Sequence, residues 1–131
     1  MKDIIKRWIE FAGADLDVAK RIFESPRPTR WAYLLVLWHC HQGIEKILKA
    51  SMVEKEIEVL KSHDLLRLME LSKVILSEED IRFIGKLSKY YLRSRYPDLS
   101  GEALPKTDED MVAKFLISTK KLFNFIKNEL S

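Results

Sequence analysis

The prolines partition this chain. Pro26 and Pro28 stand together, Pro97 and Pro105 stand alone, and no other proline occurs. Each removes a backbone donor and restricts the residue before it, so these are expected element boundaries. The long segments between them carry helical rather than alternating periodicity. In the first, Ile5, Trp8, Ile9, Ala12, Leu16, Ala19 and Phe23 recur at steps of three and four. This predicts one apolar helix face over about residues 3–24. The second segment, about 29–51, begins apolar on every side, Trp31 to Trp38, then narrows to Ile44, Ile47 and Leu48. A helix apolar all round belongs in the middle of a bundle.

Glu54 to Lys61 is charged and reads as a loop or frayed helix end. Ser62 is expected to cap a short helix with Leu65, Leu68, Met69 and Leu71 on its apolar side. Ser77-Glu78-Glu79-Asp80 is a capping-box variant opening a helix through Ile81, Ile84, Leu87 and Tyr91. Thr107-Asp108-Glu109-Asp110 caps a last helix with Val112, Phe115, Leu116, Leu122, Phe123 and Ile126 on its apolar face. Residues 96–106, with two prolines and Gly101, read as the longest loop, a place where function concentrates. The expected fold is all-α: a single domain, an up-and-down bundle of about five helices, three long and two short.

Composition narrows the function. Lys and Arg number 23 against 20 Asp and Glu, a net charge of +3, so any basic site must be local. The one cysteine, Cys40, lies in an apolar run and is expected to be a buried thiol in a reducing compartment. No Cys/His cluster has zinc-ligand spacing, and His39 and His41, two apart on a helix, point away from one another, so no metal or other cofactor is expected. Met1-Lys2-Asp3-Ile4 carries charges where a signal peptide needs apolar residues, and the longest apolar run is far short of the ~20 residues a membrane span requires. A cytoplasmic protein with no membrane partner is expected. The four glycines are scattered, so no phosphate loop is present.

Three features could carry chemistry. Arg82, Lys86, Lys89 and Arg93 follow steps of four, three and four, forming one stripe on the fourth helix. Arg95 extends it, with Tyr90, Tyr91 and Tyr96 among the charges and no acidic residue between Ile81 and Pro97. Cations with aromatics suit a phosphate backbone with bases stacked beside it; the alternative is a solvated face partnered by acids of the Glu54–Glu58 loop. A second stripe, Gln42, Glu45, Lys46 and Lys49, lies on an otherwise apolar helix and is expected to face water, a cleft or a partner subunit. His63-Asp64, at a helix start, offers an acid–base group oriented by a carboxylate, or simply a cap.

Taken in order, Trp8 with Ala12, Asp15-Leu16 and Ala19, then Gln42-Gly43-Ile44-Glu45-Lys46-Ile47-Leu48-Lys49-Ala50, then His63-Asp64-Leu65, then Arg95-Tyr96-Pro97-Asp98 resemble the HEPN domain, over about residues 5–127. The resemblance implies a helical bundle that commonly forms homodimers with the functional cleft between subunits. It also implies links to nucleotides or RNA and, in many small prokaryotic members, pairing with a minimal nucleotidyltransferase in toxin–antitoxin-like systems. Active members are metal-independent ribonucleases that use an Arg, then four to six intervening residues, then a His.

That pair is missing here. After Arg93 the chain offers Asp98, Leu99 and Ser100; after Arg95 it offers Ser100, Gly101 and Glu102. The expectation is therefore a dimeric, non-catalytic or weakly catalytic member that binds a nucleotide, RNA or a nucleotidyltransferase through Arg82, Lys86, Lys89, Tyr90, Arg93, Arg95, Tyr96 and Asp98, with Gln42, Lys46 and Lys49 as further ligand-binding candidates. One alternative is a ribonuclease with a rearranged site, His63 acting with Arg93 or Arg95. Another is a protein-interaction module, which an exposed patch of Trp31, Tyr33 and Trp38 would favour.

Overall fold

The computed structural model describes residues 1–95 and 107–130, with the backbone alone for 92–95. Five helices make up the described chain: α1 (Asp3–Phe23), α2 (Arg30–Glu54), α3 (Leu65–Ser72), α4 (Glu78–Arg95) and α5 (Glu109–Glu129). The architecture is the expected all-α bundle. Of the five, only α3 is short. The apolar face of α4 reaches only to Tyr91, but nothing in Leu92-Arg93-Ser94-Arg95 breaks a helix before Pro97, so α4 continues to Arg95.

α2 is the axis. All four other helices pack against it, and from Cys40 to Met52 every residue but Lys46 is buried. The apolar start is the less buried end: Trp31 and Leu35 are more than half exposed, and it is the narrower stripe after it that sits in the middle of the bundle. α1 lies along it on a face of small residues: Ala12 and Ala19 are buried, and a Cβ on Gly43 would meet Leu16 Cδ2 at 3.0 Å and the Ala12 carbonyl oxygen at 3.4 Å. Gly43 therefore sets how closely the two helices approach. Ile5, Val36, Leu37, Ile44, Ile47, Leu48, Leu65, Leu68, Ile84, Leu87, Leu122 and Ile126 fill the core. Each such side chain contributes roughly 1.5–3 kcal/mol relative to exposure.

The helix starts follow local chemistry. The Thr29 hydroxyl accepts from the Ala32 N–H at 3.1 Å, and Ser77 Oγ from the Asp80 N–H at 3.1 Å. Two caps differ from expectation. At α3 the cap is Asp64, whose Oδ1 accepts from the Arg67 N–H, while Ser62 Oγ accepts from the Asp64 N–H one step earlier. At α5 it is Asp108, which accepts from the Met111 N–H at 2.9 Å. In both cases a carboxylate takes the orphan N–H groups, reinforced by the positive end of the helix dipole. Lys73, at a φ of 59°, closes α3 in the left-handed conformation.

Candidate functional site

The polar stripe of α2 does not face water. Glu45 and Lys49 are buried, as is Gln42, and Lys46 is nearly so. Residues 45 and 46 are 100° apart on the helix, so the stripe divides into two ion networks on different sides of α2. Toward α1, Asp15 Oδ2 accepts from Lys46 Nζ at 2.6 Å and Asp15 Oδ1 pairs with His39 Nδ1 at 2.9 Å; Lys46 Nζ also sits 3.5 Å above the centre of the Phe11 ring. Toward α3, Glu45 Oε2 accepts from Lys49 Nζ at 3.1 Å and Glu45 Oε1 from His63 Nδ1 at 2.7 Å. Charges are buried this deeply only when paired, and each carboxylate here takes two partners. Lys46 and Lys49, expected as ligand-binding cations, already have buried carboxylate partners.

His63 is the exposed member of its network. Its side chain is 55% accessible while Glu45 is 5% accessible, so a buried carboxylate holds one nitrogen of a ring that opens to solvent. Asp64, the neighbouring carboxylate, caps α3 instead of orienting the imidazole. The orienting acid is thus Glu45, eighteen residues earlier in sequence. The signal that could have found it is a charged residue inside a helix otherwise apolar all round.

The other two histidines diverge, as their spacing requires. His39 meets Asp15, and His41 is fully buried with its ring stacked on Tyr91, centroids 3.8 Å apart. Burial drives the His41 pKa down to about 3, helped by the nearby His63 and Lys49 charges; the backbone of His63 offsets only part of this. Cys40 is buried, and burial pushes its thiol up to about 12, against a weaker lowering effect of the Thr119 hydroxyl. Among the described residues no group of three or more His, Cys, Asp or Glu could hold a metal ion.

On α4 the structure sorts the basic stripe from its aromatics. Arg82, Lys86 and Lys89 are exposed. Arg82 lies 4.0 Å from Glu78 in its own first turn, an exposed pair worth little, while Glu56 of the acidic loop pairs with Lys2. Tyr90 is half-buried, its ring edge-on to Phe115 at 5.3 Å. Tyr91 is buried against His41 and does not sit among the charges. Helical register also separates the two terminal arginines. Arg93 follows Lys89 by four and continues the stripe. Arg95 follows Tyr91 by four and Ser88 by seven, which places it on the opposite side of the helix. The side chains of Arg93 and Arg95, and all of Tyr96 and Asp98, lie outside the described residues.

Of the three aromatics expected to mark an interaction patch, only Trp31 is exposed. Tyr33 packs on Phe23 at 6.1 Å and Trp38 is edge-on to His39 at 4.9 Å. No helix among the described residues is long and apolar enough to cross a membrane.

A bundle organised around a buried central helix, with paired charges on that helix and an exposed imidazole tied to it, defines a class of small all-α domains. The HEPN domain model matches residues 5–130, and the chain belongs to the HEPN family. Its fold is similar to that of TT1696 from Thermus thermophilus, with a TM-score of 0.81 at 22% identity, covering 98% of this chain and all of the other. It is also similar to ST0689, an archaeal HEPN homologue, with a TM-score of 0.73 at 25% identity over the full length of both chains. No curated protein matches the chain significantly.

Proposed function

We propose that this protein is a nucleotide- or RNA-binding HEPN protein without efficient catalysis, acting as a homodimer and as the partner of a nucleotidyltransferase in a toxin–antitoxin-type pair. The observation that carries the binding role is the row of exposed cations Arg82, Lys86 and Lys89 on one face of α4, which Arg93 continues in register. Cations spaced along a rigid helix neutralise successive phosphates at little conformational cost. The family's Arg–His pair is missing after both Arg93 and Arg95, which removes the usual proton-transfer group. The test is a binding titration with a short single-stranded RNA and with ATP. Arg93→Ala and Arg95→Ala should each weaken binding; unchanged affinity at low salt would overturn the assignment.

A second reading, a metal-independent ribonuclease, is favoured by one observation: His63 is exposed yet fixed by Glu45 at 2.7 Å, as a general base must be. Arg95 shares the α4 face of Ser88 and Tyr91, which line the cleft beside His63. Cleavage of RNA in the presence of EDTA, lost in His63→Ala, would establish it. Intact RNA after prolonged incubation would dismiss it.

A further inference from the structure

The cleft beside His63 holds more polar chemistry than the fold uses. It encloses about 380 Å³ and is lined by His41, His63, Asp64, Ser88 and Tyr91. His41 is fully buried, its Nδ1 3.9 Å from Glu45 Oε1 and beyond hydrogen-bond range, so neither ring nitrogen has a well-aligned partner, and the buried Ser88 Oγ has none either. Leaving such groups unsatisfied is costly, so two of them lining one cleft call for an occupant with hydrogen bonds to offer.

Three observations narrow the occupant. A base sandwiched between His63 and Tyr91 would need two contacts of about 3.5 Å, roughly 7 Å between parallel rings. The centroids are 5.8 Å apart and the rings tilted by 40°, and Tyr91 already stacks on His41. No slot for a base exists there. Asp64, its Oδ1 committed to the Arg67 N–H, adds a carboxylate that opposes a phosphate inside the cleft and accepts readily from a hydroxyl. The imidazole and hydroxyl can each both donate and accept. A carboxylate, a hydroxyl and a neutral imidazole around a small cleft suit a sugar hydroxyl, which both donates and accepts.

We propose that this cleft is a ribose subsite, in which Asp64, Ser88 and His41 converge on the 2′-hydroxyl of a ribonucleotide. It rests on the nucleic-acid reading above and specifies where RNA is told from DNA. The cleft and the cationic stripe lie on different faces of α4, and a helix with its side chains is only about 10–12 Å across. A single strand crossing α4 meets both, its phosphates on the outer face and a sugar in the cleft. The 2′-hydroxyl is the group by which a protein distinguishes the two nucleic acids.

The experiment is fluorescence anisotropy at low salt with a short single-stranded RNA and the DNA of the same sequence, against wild type, Ser88→Ala and His41→Phe, with thermal melts of all three. Wild type should prefer RNA by about tenfold, the scale of one good hydrogen bond. Ser88→Ala should lower RNA affinity toward the DNA value and leave DNA binding unchanged, and His41→Phe should act in the same direction. If His41→Phe does not fold, Ser88→Ala decides alone. Equal binding of RNA and DNA by wild type, or a preference that survives in every folded variant, overturns the ribose subsite and leaves the phosphate-binding face standing. Failure of wild type to bind either oligonucleotide overturns both.

Discussion

Glu45, on the central helix, accepts a hydrogen bond from His63 Nδ1 at 2.7 Å and ties the segment before α3 to the middle of the bundle. The same carboxylate holds Lys49 at 3.1 Å, so one buried acid satisfies a buried ammonium and an exposed imidazole. The two partners should not be equivalent. Glu45→Ala leaves Lys49 buried without a counter-charge and should cost about 3–5 kcal/mol. His63→Ala removes a hydrogen bond to a half-exposed ring, leaves the Glu45–Lys49 pair, and should cost about 1–2 kcal/mol. Urea denaturation of both variants checks this; equal losses would show that the pair is not the anchor.

On the other side of α2, Asp15 and Lys46 form a similar anchor between α1 and α2. In a double-mutant cycle with Asp15→Ala and Lys46→Met, the paired substitution should be less destabilising than the sum of the single ones by about 1 kcal/mol or more. Additive losses would mean the two side chains are only neighbours.

His41 gives the acid limb of the stability profile a definite sign. Its pKa is lowered in the folded protein from the ordinary 6.5 to about 3, mainly by burial. The unfolded chain therefore takes up a proton that the folded chain refuses. The contribution is fully present above pH 6.5 and is lost as pH falls through that window toward 3, with a slope approaching ~1.4 kcal/mol per pH unit. His41→Phe keeps a ring against Tyr91 and removes the proton. Between pH 6 and 4 its stability should fall less steeply than that of wild type. Parallel profiles would contradict the buried neutral imidazole.

Cys40 should be chemically silent. With its thiol pushed up to about 12 and no exposed surface, almost no thiolate is available at neutral pH. Ellman's reagent should react with the native protein only at the rate of opening and with the urea-unfolded protein at once. Rapid labelling of the native state would place Cys40 outside the core.

Much of the fold is legible in the sequence because it depends on local signals. The seven-residue spacing of Ile5, Ala12 and Ala19, the prolines after α1, and the Ser77 cap each act within a turn or two. The apolar content of α2 points to the right central helix, although its all-round apolar start is the end left partly exposed. What the sequence conceals is which polar residues are taken inside. Glu45 and Lys49 look like an ordinary surface pair at i and i+4; only the arrival of α3 and α4, set by long-range packing, turns that face inward. Asp15, His39 and Lys46 come from two helices, and no spacing rule joins them. Tyr90 and Tyr91 read as companions of the cations, but adjacent positions on a helix face different neighbours, and these two turn to Phe115 and His41.

The central claim is that the exposed face of α4 meets phosphate. The most direct measurement is the salt dependence of single-stranded RNA binding for wild type and for Lys86→Ala/Lys89→Ala. If both lysines contact phosphates, the slope of log affinity against log salt should become shallower by about 0.7 per lost contact, and affinity at low salt should fall at least tenfold. An identical slope and affinity in the two proteins would contradict the account.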